Sequence, residues 1–371
     1  MIVRYTYIPN NAPINRLLAF AKGYGENGIN TTVYFLRPDN LNSKVDKKFE
    51  NVQFEYLWEN NVTRNKYLNF IFSLLRLFLL LKPDIPVIFY GVREYLFFFR
   101  LRYRVKIYYE MTEHPSLFYN FDKITDRLKY KIYINACRRL DGLFVISPSL
   151  ANFYINEVHV DKDKVHIANM VVDKKRFIGL NNNPESPIIS YCGTVSMYKD
   201  GVDILIKSFA LIHKKYPKLK LRVIGPFMSK NDEIELRNLS SLLHLNNYID
   251  FTGKISADKM PSVLSDSKIL VLSRPNNKQA KYGFPTKLGE YLMTGVPVLV
   301  TKVGDIGCYL TDKESVIFAT PDSFDDFYMS LDWIISNYDK ALKIARQGRL
   351  IASKKFDYFI ESKNNIEFIY K

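Results

Sequence analysis

The segment KYGFPTKLGEYLMTGVPVLVT, from Lys281 to Thr301, sets a Gly-Phe-Pro-Thr loop ahead of a helical pattern that begins near Thr286. The first-turn amides of a helix have no partner within it, and the helix dipole favours negative charge there. Pro285, Thr286 and Lys287 therefore form a cradle suited to a phosphate. Lys287 adds a full positive charge, and Glu290, one turn further in, is spaced to accept hydrogen bonds from ribose hydroxyls. An ordinary β-α-β crossover with Glu290 solvated would give the same local pattern. A second loop tips the balance: Gly193-Thr194 closes an apolar run and Lys199 precedes the next helix, which supplies a close-approach glycine and a second cation. In open α/β sheets, ligands gather at the carboxyl ends of strands, where both loops must lie.

Other motifs carry less. Gly23, Gly25 and Gly28 spell G-x-G-x-x-G, but a dinucleotide fingerprint needs a strand before the glycines and a helix after them. Here the helical PINRLLAFA precedes and the strand-like TTVYFL follows, so Gly28 reads as a helix C-cap and nicotinamide chemistry is rejected. REYLFFFRLRYRVK, Arg93 to Lys106, carries five basic residues against Glu94, interleaved with aromatics. Arg93, Phe97, Phe98, Arg100, Arg102 and Arg104 would suit the headgroup boundary of an anionic membrane. Aromatics packed inward beneath solvated arginines are the plainer alternative. YLNFIFSLLRLFLLL, Tyr67 to Leu81, is apolar for fifteen residues with Arg76 inside, short of the roughly 20 that cross a bilayer. It reads as a buried or surface-lying helix stopped by Pro83, and no transmembrane span is expected. No DxD-type pair stands out, so neither metal nor cofactor is expected.

The elements that must position these residues alternate along the chain. IVRYTYI near the start, TTVYFL at Thr31 to Leu36, VQFEYL at Val52 to Leu57, PVIFYG at Pro86 to Gly91, VKIYYE at Val105 to Glu110 and GLFVIS at Gly142 to Ser147 are strand-like. Segments long enough for crossover helices separate most of them, which predicts a parallel sheet covered on both faces. The second half repeats the scheme with ISYCG, LRVIG, IDFTG, ILVLS and PVLVT. Asp200 reads as an N-cap, followed by Val202, Leu205, Ile206 and Phe209 at the spacing of a helix lying on a sheet. The polar stretch from Asp173 to Pro187 reads as the linker. The expected domains are 1–177 and 188–350, with 351–371 as a helix returning to the first; Phe356, Phe359, Ile360, Ile366 and Phe368 are spaced for its apolar face.

YCGTVSMYKDGVDILIKSFALI, LRVIGP, IDFTGKI, ILVLSRP and GFPTKLGEYLMTGVPVLVT resemble the nucleotide-sugar-binding domain of the retaining GT-B glycosyltransferases of family four, the glycosyl transferases group one. EMTEHP at Glu110 to Pro115 and IANMVVDKKRF at Ile167 to Phe177 are similar to that family's mid-domain loop and interdomain connection. The resemblance covers about residues 105–320 in order. It implies two Rossmann-like, doubly wound α/β domains facing across a cleft, with a nucleotide-sugar donor in the second and an acceptor in the first. The implied reaction is sugar transfer with retention and without metal. By the same resemblance, Gly193 and Thr194 approach the phosphates, Lys199 is the phosphate-binding lysine and Glu290 the ribose-binding glutamate. Tyr282, Gly283 and Phe284 fall at the donor sugar, Glu113 and His114 where the first domain approaches it, and Asn11 and Arg16 at the acceptor. His114 receives no proton-transfer role. Three positions depart from the family pattern: Tyr282 replaces the first of two glutamates seven residues apart, Thr194 replaces a frequent arginine, and NNAPINR at Asn10 to Arg16 replaces a glycine-rich loop.

Composition agrees with a well-packed protein: of 371 residues, 47% are hydrophobic and 25% charged, which excludes disorder and collagen. Cys137, Cys192 and Cys308 are odd in number and far apart, and no charged-apolar-small leader opens the chain, so a reducing cytoplasm is expected. The net charge of +15 implies an anionic partner, and residues 1–180 hold most of it, with 27 basic against 17 acidic residues. An anionic membrane surface presenting a lipid-linked glycan acceptor fits this charge; the resemblance implies a setting at the inner face of a bacterial membrane, in capsule, O-antigen or exopolysaccharide synthesis, and a nucleic acid partner is not expected. Two alternatives stay open: a sugar-nucleotide epimerase of the same fold, and a basic nucleic-acid- or membrane-binding protein with a vestigial donor pocket.

Overall fold

A computed structural model describes residues 1–4, 7, 11–37, 44–57, 65–93, 96 and 105–371. The chain forms two compact units, Met1–Val171 with Tyr358–Lys371, and Val172–Asp357. The stretch from Asp173 to Phe177 therefore belongs to the second unit rather than closing the first.

In the first unit, β1 (Ile2–Val3), β2 (Thr31–Phe35), β3 (Val52–Tyr56), β4 (Val87–Tyr90), β5 (Ile107–Met111), β6 (Gly142–Val145) and β7 (Val165–Ile167) form a sheet in the order β3-β2-β1-β4-β5-β6-β7. Every pairing is parallel. β4 and β6 are buried at every residue, as a parallel sheet covered on both faces requires. Helix α1 (Ala12–Glu26) ends in a Schellman motif: the Ile29 amide bonds to Tyr24 O and the Gly28 amide to Gly25 O, with Gly28 left-handed at φ +83°. Gly23 and Gly25 lie inside this helix, where added Cβ atoms would fall 2.0 Å from Ser362 Oγ and from Glu50 O. Those glycines are packing sites and not a phosphate turn.

Helix α2 (Lys66–Leu80) buries Leu74 and Leu77 but leaves Leu68, Ile71, Phe72, Leu75 and Leu79 exposed on one face. No helix among the described residues is long and apolar enough to cross a membrane. Helix α3 (Ile124–Cys137) crosses from β5 to β6.

The second unit orders β8 (Ile188–Cys192), β9 (Lys220–Ile224), β10 (Ile249–Gly253), β11 (Ile269–Leu272), β12 (Val298–Thr301) and β13 (Ile317–Ala319) as β10-β9-β8-β11-β12-β13, again all parallel. Helix α4 (Met197–Asp200) breaks from α5 (Val202–Lys215) at Gly201, which is left-handed at φ +61°. That break corrects one expectation. Gly201 is the N-cap of α5, and Asp200 is instead the last residue of α4, its carboxylate buried. Val202, Leu205, Ile206 and Phe209 are fully buried, which matches the predicted stripe.

Helix α6 (Lys230–Leu242) links β9 to β10 and packs on α5, α7 (Thr286–Thr294) links β11 to β12, and α8 (Phe324–Ser336) also packs on α5. Helix α9 (Tyr338–Lys355) packs on α7, so residues 351–357 stay with the second unit. Helix α10 (Tyr358–Tyr370) docks on α1 in the first unit with a face that matches the predicted one only in part: Ile366 and Phe368 pack on the core, and Phe356, just before the helix, is buried. Tyr358, Glu361, Ser362, Asn365 and Ile369 turn inward, whereas Phe359 and Ile360 are each 40% exposed. The reason is the polar surface it meets, because Glu361 accepts hydrogen bonds from both the Asn169 amide and the Asn169 side chain.

Candidate functional site

In the second unit, the carboxyl ends of β8 and β11 deliver the loops that were singled out from sequence. After β8 the chain stays extended beside the loop after β9: the Gly193 amide donates to Ile224 O and the Val195 amide to Pro226 O. Glycine is required on both sides of this contact. A Cβ on Gly193 would sit 2.4 Å from the Tyr191 hydroxyl, and one on Gly225, at φ +133°, would sit 1.8 Å from Gly193 O. Ser196 then caps α4 by accepting from the Lys199 amide at 3.2 Å, which fixes Lys199 just beyond the loop. The Lys199 ammonium makes no ion pair or hydrogen bond among the described residues and is half-buried.

Helix α7 starts at the same edge of the sheet. Pro285 is its N-cap, and no side chain caps the first turn. Phe284 is 7% exposed and packs against Tyr309 and Phe356, with ring centroids 5.4 Å and 5.9 Å away, so it anchors the loop from below. Gly283 is extended and buried; Lys281 lies over the Tyr282 ring. Tyr291 ties this helix to β8: its hydroxyl accepts from the Cys192 amide at 2.5 Å and lies 3.2 Å from Cys192 O. The end of β8, and with it the Gly193 loop, is thereby held in register with α7.

Glu290 is not solitary. Arg176 donates from Nη1 to Glu290 Oε1 at 2.6 Å and from Nη2 to Ala257 O at 2.5 Å, and Lys287 Nζ lies 3.8 Å from Glu290 Oε2. Arg176 reaches this position because Asp173 caps the short helix Lys174–Phe177 and buried Phe177 anchors it. Burial alone would lower the Lys287 pKa, but the negative charge of Glu290 beside it helps carry the balance upward, so it stays a cation. Burial pushes the Cys192 thiol up to about 11, which keeps it a neutral packing group.

Asp200 forms a second buried charge centre behind the Gly193 loop. The Tyr191 hydroxyl donates to Asp200 Oδ2 at 2.6 Å, with Thr194 O 2.8 Å away, and Arg274 Nε stands 3.3 Å from Asp200 Oδ1. Sequence reading missed Arg176, Tyr191, Arg274 and Tyr291. Their partners lie up to 114 positions away, so spacing carried no signal for the pairing.

The remaining expected residues belong to the first unit. His114 is 6% exposed and caps the helix Pro115–Phe118, its Nδ1 accepting from the Ser116 amide and meeting Ser116 Oγ at 2.7 Å. Its ring packs 4.2 Å from Phe153, and Glu113 beside it is half-buried. Asn11 is the N-cap of α1 and uses its backbone carbonyl, not its side chain. Arg16, expected at an acceptor, is 6% exposed and committed inside the unit: Nε pairs with Glu110 at 2.8 Å, and Nη1 and Nη2 donate to Asn169 O and Ala168 O. Burial raises the Glu110 pKa against the pull of Arg16. Arg93 lies over the Phe118 ring at 3.6 Å. Phe97, Phe98, Arg100, Arg102 and Arg104 lie outside the described residues. Among the described residues, no group of three or more His, Cys, Asp or Glu is arranged to hold a metal ion.

Two parallel-sheet Rossmann-like units, one with an uncapped helix end, two lysines and a close-approach glycine at its sheet edge, define the class: an α/β protein with a candidate anion site in its second unit. Residues 173–351, a little under half of the chain, match the family model "Glycosyl transferases group 1", and the matched stretch lies within the second unit. An uncharacterized glycosyltransferase of Haemophilus influenzae is 23% identical over 254 residues, 67% of this chain; the matched stretch spans 65% of that relative's length. Among solved structures, Anabaena HepE, determined in complex with UDP and glucose, is similar with a TM-score of 0.78 at 14% identity, over 100% of this chain and 99% of HepE. Sucrose-phosphate synthase from Thermosynechococcus elongatus is similar with a TM-score of 0.76 at 14% identity, over 99% and 98% of the two chains. These likenesses identify the fold as GT-B.

Proposed function

We propose that this protein is a metal-independent glycosyltransferase that takes a nucleoside diphosphate sugar, UDP-linked, in its second unit and transfers the sugar with retention of anomeric configuration. The observation that carries the reading is the uncapped first turn of α7, tied through Tyr291 to the strand that delivers Gly193 and Lys199. A departing diphosphate needs its charge neutralised, and preorganised amides at Thr286 and Lys287 with the Lys199 and Lys287 ammonium groups do this without solvent rearrangement. Glu290 accepts the ribose hydroxyls once Arg176 yields one carboxylate oxygen or shares it. HepE, solved with UDP and glucose, supports UDP as the carrier. In the first unit, His114 keeps its capping bond to the Ser116 amide and moves no proton.

The acceptor in this reading is a lipid-linked glycan of bacterial surface polysaccharide synthesis, reached from the cytoplasmic face of the membrane. The exposed apolar face of α2 and the net charge of +15 support it. Lys199→Ala and Glu290→Ala should each abolish transfer while leaving the thermal midpoint of the free protein within a few degrees of wild type. Near-normal turnover by both variants would refute the assignment. Wild type at a hundredfold excess of UDP over its dissociation constant should gain about 2.7 kcal/mol in stability.

A further inference from the structure

Arg274 lies two residues beyond the end of β11 and is buried to 4% exposure; β11 runs between the strand that delivers Gly193 and the strand that follows α7. Its backbone is pinned on two sides, because Thr301 Oγ1 donates to Arg274 O at 2.7 Å and the neighbouring Ser273 hydroxyl reaches Gly201 O at 2.9 Å. The guanidinium is less well answered. Nε stands 3.3 Å from Asp200 Oδ1 as an ion pair, yet neither Nε nor Nη1 makes a hydrogen bond among the described residues, and both atoms are buried. Asp200 is already engaged on its other oxygen by the Tyr191 hydroxyl. Buried donors are nearly always paired, and a forked guanidinium held without full partners is suited to a phosphate. The location fits, since a Cβ on Gly193 would meet Asp200 Oδ2 at 2.9 Å, so Arg274 is one carboxylate removed from the close-approach loop. The other cations at this edge are partly matched: Arg176 and Lys287 both face Glu290.

We propose that Arg274 is a further diphosphate-binding cation of the donor site, oriented by Asp200 and donating to a phosphate oxygen of the nucleoside diphosphate. This rests on the donor-site reading above. The test compares wild type, Arg274→Gln and Arg274→Lys by calorimetric titration, in EDTA, with UDP, GDP and ADP and with the parent nucleosides. Arg274→Gln is expected to weaken the preferred diphosphate about tenfold or more, to leave nucleoside affinity unchanged, and to be partly rescued in Arg274→Lys. If Arg274→Gln does not fold, the same phosphate-specific loss, smaller in size, is read from Arg274→Lys. Equal losses for diphosphate and nucleoside, or no loss for either, would overturn the proposal. Wild type that binds none of the three diphosphates would instead remove the donor-site reading, and this inference with it.

Discussion

Arg176 and Glu290 form the short ion pair that links the Lys174–Phe177 helix to α7, and each is partly exposed, at 32% and 18% of the side chain. Such a pair stabilises modestly, so its effect belongs to function more than to folding. Arg176→Ala should leave the thermal midpoint nearly unchanged and alter KM for the donor more than kcat, which steady-state kinetics would read directly. Glycine positions behave differently. Gly193→Ala pushes a methyl group against the Tyr191 hydroxyl and should lower stability by about 1–3 kcal/mol, seen as a reduced unfolding midpoint. Gly225→Ala should be worse, because the clash is with a backbone carbonyl and the φ of +133° suits only glycine.

Helix α10 shows what element-level reading reaches and where it stops. Its existence and the return to the first unit follow from a terminal helical segment, but apolar spacing selected Phe359 and Ile360 for the interior, and both are exposed. The inward face is decided by Gly23 of α1 and by Asn169, partners more than 190 positions away that no local period encodes. Likewise β7 and β13, each three residues long, are too short to show alternation, whereas the longer strands of both sheets were legible. The loops at Gly193 and Pro285 were legible because their signal is local, a helix start after a glycine-containing loop. Partly exposed Arg176 and buried Arg274 were not. A pH test belongs at this scale too. His166 of β7 stacks on Phe368 of α10 at 4.9 Å, and burial holds its pKa below 6.5. The unfolded chain therefore binds a proton that the folded chain refuses, so this contribution is complete above pH 6.5 and is lost as pH falls through the folded value. His166→Phe keeps the stack, and its melting temperature relative to wild type should rise as pH is lowered from 7.5 to 5.5. A constant difference over that range would contradict this role. Glu361, whose pKa burial raises, is present in both proteins and drops out of the comparison.

At the scale of the whole molecule, two sheets divide the labour. The second unit carries the candidate phosphate cradle, and the first presents α2 with six large apolar side chains in solvent. On a membrane-docking reading, flotation with vesicles containing anionic phosphatidylglycerol should capture the protein at low salt. Ile71→Ser with Leu79→Ser should then reduce partitioning on the order of tenfold for each side chain that inserts. Unchanged partitioning would assign that face to another partner. The central claim, however, is that main-chain amides and ammonium groups of the second unit hold a nucleoside diphosphate without a divalent ion. Amide hydrogen exchange with and without UDP, in EDTA at pH 7, tests it most directly: exchange should slow in peptides covering Gly193–Asp200 and Pro285–Glu290 of wild type, and much less in Lys199→Ala. Protection that appears only when magnesium is added, or that falls on other segments while these two stay unchanged, would contradict the account.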